Sequence, residues 1–119
     1  MNPLEEKAKE LGRLVGQSSE YQAVKRANDA LTGDKEAVDL LRQMETLRTG
    51  AQEMIERGER PSDEMEQSLD ALLGKVQQNA TYQRLVVAQE NYDKMMMKVN
   101  DWIVEGIKKG ATSAIITLG

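Results

Sequence analysis

A chain of 119 residues with 16 basic and 20 acidic side chains carries a formal net charge of −4, with both signs interspersed along its length. That describes one domain with a modest core and a solvated surface, not the basic footprint of a nucleic-acid-binding protein. Cysteine and histidine are both absent, which excludes disulfides, thiolate nucleophiles, imidazole acid–base chemistry and zinc sites built on either ligand.

The first segment, Met-Asn-Pro-Leu-Glu-Glu-Lys, lacks the basic start and apolar run of a signal peptide. Pro3 suits a first helical turn, and Leu4, Ala8, Leu11 and Val15 share one face of a helix reaching about Gly16. Ser18 or Ser19 can cap the second helix, whose stripe is Tyr21, Val24, Ala27 and Leu31. Gly33 fits its stop, and Asp34 follows as the next N-cap.

A third, long helix is predicted from about Asp34 to about Arg57, with Ala37, Leu41, Met44, Leu47, Ala51 and Met54 on one face. Gly58-Glu59-Arg60-Pro61 breaks it, because proline cannot continue the ladder and restricts its predecessor. Ser62 caps a fourth helix whose apolar face is Met65, Leu69, Leu72, Leu73 and Val76; Asp63 and Glu64 suit the positive end of its dipole. Asn79 ends that helix or caps the next. The fifth helix is again long, about Thr81 to about Lys109, with Lys108 and Lys109 at its negative end. Helices three and five would each span roughly 35–43 Å.

No stretch approaches a membrane span, so a cytoplasmic protein is expected and the sequon Asn79-Ala80-Thr81 is a chance match. The four aromatics (three Tyr, one Trp, no Phe) leave a core of Leu, Val, Ile, Met and Ala, which favours helix packing over a sheet. The expectation is an all-α fold: an antiparallel helical bundle of about five helices, two of them long, assembled as a dimer or higher oligomer. Residues 1–109 would form one helical domain. Gly110 would end helix five, leaving residues 110–119 as an apolar C-terminal tail.

Three methionines stand together in Tyr92-Asp93-Lys94-Met95-Met96-Met97-Lys98-Val99-Asn100-Asp101-Trp102. On a helix the buried stripe passes through Leu85, Tyr92, Met96, Val99 and Ile103, with Met95 beside Tyr92, Val99 and Trp102. Met97 lies about 100° from Met96, at or beyond the stripe's edge. A Cu(I) site would want converging thioethers helped by Cys or His, and neither helper exists. Core packing therefore accounts for Met95 and Met96, and Met97 is a candidate contact for another chain, as are Ile115 and Ile116 in the tail.

Other constellations read as structure. The turn around Gly33 invites a helix-turn-helix reading, but Asp34, Glu36 and Asp39 at the start of the second helix would repel phosphate, and a plain helical hairpin fits better. Lys25-Arg26 and Lys108-Lys109 are each too small to anchor a nucleic acid alone. The carboxylates read as a solvated face: Glu-x-x-His pairs are impossible, and neither an EF-hand loop nor a glycine-rich phosphate loop is present. Gly50, Gly74 and Gly106 inside helices suggest close crossings or a kink.

Ser19-Glu20-Tyr21-Gln22-Ala23-Val24-Lys25-Arg26-Ala27, then Asp34-Lys35-Glu36-Ala37, Leu40-Leu41, Gln52, the Gly58-to-Pro61 break and Asn79-to-Gln89 (NATYQRLVVAQ) resemble the YlbF/YmcA family of small helical bacterial proteins over most of residues 4–108. The resemblance implies an all-helical dimer or higher oligomer with a regulatory, non-catalytic role. Its relatives promote competence, sporulation and biofilm formation through a complex that acts with a membrane-anchored endoribonuclease. Some members bind iron–sulfur clusters through cysteines, which this chain lacks, so that cofactor does not carry over. The expectation is thus an interaction protein without catalytic residues, metal or cofactor. Its partners would be its own copies and other proteins, including an RNA-processing complex, with no membrane contact and no small-molecule substrate. The alternative is an RNA-associated factor using Lys25, Arg26 and their neighbours.

Overall fold

The computed structural model describes residues 2–118, with side chains through residue 112. Five helices follow one another: α1 (Pro3–Gln17), α2 (Ser19–Thr32), α3 (Lys35–Glu56), α4 (Asp63–Gln78) and α5 (Ala80–Leu118). No strand occurs among the described residues. The all-α class read from the sequence holds, and the first four helices end within a residue or two of their expected limits.

The boundaries have local causes. Asn2, Ser18, Asp34, Ser62 and Asn79 each accept a hydrogen bond from the backbone N–H three residues on, at 2.7–3.2 Å, satisfying a donor that each helix start leaves open. The two one-residue breaks, at Ser18 and Asn79, share one construction. In both, the cap N–H donates to the carbonyl three residues back. The glutamine four residues after the cap donates to the carbonyl two residues before it, Gln22 to Gly16 at 2.8 Å and Gln83 to Gln77 at 2.7 Å. The sequences that do this, Ser18-Ser-Glu-Tyr-Gln and Asn79-Ala-Thr-Tyr-Gln, are two copies of one signal.

α3 ends differently. Gly58 sits at φ 78°, the only positive value among the described residues. Its N–H reaches Ile55 O at 3.0 Å, and the Glu59 N–H reaches Met54 O at 2.8 Å, the paired bonds of a Schellman stop. A Cβ there meets no neighbour, so Gly58→Ala should cost only the left-handed strain, about 1 kcal/mol. Urea denaturation checks this, and an unchanged midpoint would mean the turn relaxes into another form.

The fifth helix departs from expectation. Instead of stopping at Lys109, it runs through Gly110 to Leu118, 39 residues in all. Gly110 does not take the left-handed turn by which Gly58 ends α3. Thr112 instead donates its hydroxyl back to Lys108 O at 2.9 Å, as a residue within a continuing helix does.

α2 lies antiparallel along the first half of α5, and α3 folds back on α4 as a hairpin. The two long helices each take a shorter partner, and α2 and α3 do not close into a hairpin of their own. Among the described residues only Ala37, Leu40, Val76, Ala88 and Val99 are buried, and no polar side chain is. Gly50 meets the Met65 methyl at 3.6 Å, whereas Gly74 and Gly106 face open space within this chain. The result is a long molecule, 68 × 37 × 24 Å. Its radius of gyration is 21.7 Å, against about 13.5 Å for a compact chain of this length.

The two pairs of helices meet where α3 and α5 begin. Asp34 Oδ1 accepts from the Ala37 N–H at 3.1 Å, and Oδ2 accepts from Asn79 Nδ2 at 3.3 Å. The Ala37 N–H chiefly, then the Thr81 hydroxyl and the Asn79 amide, hold the Asp34 carboxyl below its ordinary value, against a smaller opposing effect of desolvation. A depressed carboxyl stabilises the fold above its unfolded value of 3.8 and loses that contribution as pH falls through the folded value. The stability gap between wild type and Asp34→Asn should therefore narrow from neutral pH to below 3.8. A gap independent of pH would contradict this linkage.

Candidate functional site

α1 leaves α2 at the Ser18 break and stands off from α5, opening a cleft of about 500 Å³ between them. Its α1 wall is Ala8, Leu11, Gly12, Val15 and Gly16, and its α5 wall is Tyr92, Met96, Val99 and Ile103, with Tyr21 between. Added Cβ atoms at Gly12 and Gly16 would touch nothing, so both positions face open space. Tyr21 and Tyr92 pack as tilted rings in its lining, with centroids 5.9 Å apart. The cleft is lined by hydrocarbon, one thioether and two tyrosine rings, with no charged side chain among them. What it offers is apolar surface.

The methionine run divides as its helical phase predicts. Met96 faces the α1–α5 cleft, Met95 faces the α2 seam, and both are half-buried. Met97 is 68 % exposed beside Asp93, Asn100 and Asp101. The stripe is less covered than expected: Ile103 is 45 % and Trp102 60 % exposed. The reason is geometric, since α2 starts at Ser19 and reaches no further along α5 than Trp102. Beyond it Val104 and Ile107 are exposed too, and so are Leu4 and Leu14 on α1. The side chains of Ile115 and Ile116 lie outside the described residues.

The exposure is large in total. The chain presents 9315 Å² to solvent, roughly 2,900 Å² more than a compact monomer of its mass would. A standard protein–protein interface takes only about 800 Å² from each partner.

The basic residues gather in a way the sequence does not announce. Arg26 of α2 comes beside Lys94 and Lys98 of α5, near Trp102, while Lys25, Lys108 and Lys109 are simply exposed. No group of acidic side chains that could hold a metal ion exists among the described residues. No described helix is long and apolar enough to cross a membrane.

Comparison with known proteins gives this geometry a family. Residues 4–108 match the family model described as "Control of competence regulator ComK, YlbF/YmcA". A UPF0342 protein of Leuconostoc citreum (strain KM20) is 23% identical over 100 residues, covering 84% of this chain and 85% of its own. One from Limosilactobacillus fermentum is 30% identical over 96 residues, covering 81% and 80%. The solved structure "Protein of Unknown Function (DUF964) from Bacillus stearothermophilus" shares the fold, with TM-score 0.66, 19% identity and coverage of 90% of this chain and 94% of its own. With the family match running from the first helix to beyond Trp102, the chain belongs to the YlbF/YmcA family.

Proposed function

We propose that this protein is a non-catalytic regulatory interaction protein that works as a homodimer or higher assembly in the cytoplasm. The observation that carries this reading is the open apolar cleft between α1 and α5, continued by the exposed Ile103, Val104 and Ile107. Leaving that surface in water is costly at about 25 cal/mol per Å². A second copy presenting the same α1 and α5 surfaces would cover it in an isologous contact, each copy filling the cleft of the other. Residues 110–119, with Ile115 and Ile116, would extend this surface, and Met97 would lie at its rim.

The family model is described by control of the competence regulator ComK, which supports a role in bacterial regulation. We place the protein with the YlbF/YmcA-type factors of competence, sporulation and biofilm control, acting on other proteins of an RNA-processing complex. An enzyme is disfavoured because the cleft is lined by apolar side chains and aromatic rings, with no charged side chain among them.

Thermal unfolding tests the assembly, since association stabilises by mass action. The melting temperature should rise as protein concentration is raised from the nanomolar to the micromolar range. A midpoint independent of concentration would count against a folded state coupled to self-association.

A further inference from the structure

We propose that the groove along the α2–α5 seam is a docking site for an acidic peptide segment of a partner protein, one carrying aliphatic side chains beside its carboxylates. The groove is about 710 Å³, and Arg26 from one helix faces Lys94 and Lys98 from the other across it. All three cations are exposed. None is among the described ion pairs, which involve Lys7, Lys9, Arg48 and Arg57. Lys94 and Lys98 stand four residues apart on α5, a like-charge spacing that lowers a helix's own stability, and a bound carboxylate would relieve it. On a chain of net charge −4, this is a local positive strip, continued by Arg84 beside Arg26 in the next part of the seam.

The groove also has apolar walls. Ala23 and Met95 are half-buried within it, and Trp102 stands at one end, 60 % exposed. Alanine lets a backbone approach closely, and tryptophan is the residue most enriched among those that dominate binding energy. Complementarity thus asks for carboxylates flanked by an aliphatic group.

A nucleic acid fits less well. Glu20 lies in the same groove, its carboxylate accepting from the Ser19 hydroxyl at 3.0 Å. Glu105 follows Trp102 by three residues on α5, adding a second carboxylate on that side of the helix. A peptide can place its carboxylates against the cations alone. The inference rests on the reading of the chain as an interaction protein, but it uses another face of α5 from the cleft, so the two can fail separately.

The test titrates the full chain with a synthetic glutamate-rich helical peptide bearing one face of leucines, at physiological salt. Emission of Trp102, the only tryptophan, reports burial of the indole. The expected result is a saturable blue shift, with affinity at least about tenfold weaker in Lys94→Glu/Lys98→Glu and unchanged in Lys7→Glu/Lys9→Glu on α1. Arg26→Ser should weaken binding in the same direction, and far-UV circular dichroism should show all these variants to be helical. A peptide with serines in place of its leucines should bind at least about tenfold more weakly.

Four results would each overturn the proposal. They are no saturable shift, equal binding of the serine peptide, tighter binding of a uridine-rich single-stranded RNA than of the peptide, and loss of assembly mass in Lys94→Glu/Lys98→Glu. The last would make the groove a contact between copies. A monomeric wild type that still binds the peptide would instead sink the self-association reading and leave this one standing.

Discussion

Val76→Asp is expected to remove most of the protein's stability, a loss of about 3 kcal/mol or more. Val76 is 2 % exposed, the least accessible large side chain among the described residues, and lies near the end of α4, three residues before the Asn79 break. Its neighbourhood is where the α2–α5 and α3–α4 pairs join, and no buried polar group lies among the described residues to receive a carboxylate. The new aspartate would have to stay protonated or open the junction. Val76→Ala keeps the site apolar and should cost less, about 1–2 kcal/mol by loss of buried methyl groups. Urea denaturation separates the two. An aspartate variant within 1 kcal/mol of wild type would show that the junction is not the structural centre.

The second large effect concerns assembly. Met96→Asp puts a charge on the α5 wall of the cleft, between Tyr92 and Val99. Within one chain Met96 is only half-buried, so the carboxylate can reach water there. Once a second copy fills the cleft it cannot, and burying it unpaired costs more than the roughly 1–3 kcal/mol of a neutral polar group at each equivalent site. The assembly should weaken by at least about tenfold, with the melting temperature falling as association is lost. Met97→Asp, on the exposed side of the same helix, should leave the melting temperature within a few degrees. It should weaken association less than Met96→Asp does. Equal large losses from both variants would mean that the face assigned to the interface is wrong.

Much of the fold was legible because its boundaries are made by single residues. Pro3, Ser62 and the Gly58–Pro61 break act through local sterics and caps, and their chemistry needs no tertiary partner to be read. Asn79 left two readings open, and it serves both: it ends α4 with its N–H and caps α5 with its side chain. Gly110 misled for a complementary reason. A glycine permits a left-handed stop without requiring one, so the sequence alone does not tell Gly58, which turns, from Gly110, which does not.

The candidate site was legible in phase but not in cover. Helical spacing placed Met97 outside, as found, and Met95 and Met96 in the core, where the structure leaves both half-buried. It also placed Ile103 and Trp102 on the buried side, where the structure leaves them open. Periodicity reports which face of a helix is apolar, not whether the same chain supplies what covers it. The seam groove was harder still, since Arg26 is 68 residues or more from Lys94 and Lys98 and only the antiparallel packing of α2 on α5 unites them. The repeated cap-x-x-Tyr-Gln signal was available in the sequence. It is hard to see because its two copies, at Ser18 and Asn79, differ in three of five residues.

Self-association through the α1–α5 cleft is tested most directly by multi-angle light scattering of the wild-type chain at micromolar concentration, with Met96→Asp run beside it. The wild type should give a mass at least twice the 13.3 kDa of one chain, and Met96→Asp should give a lower mass at the same concentration. A wild type that elutes as a clean 13.3 kDa monomer would contradict the account.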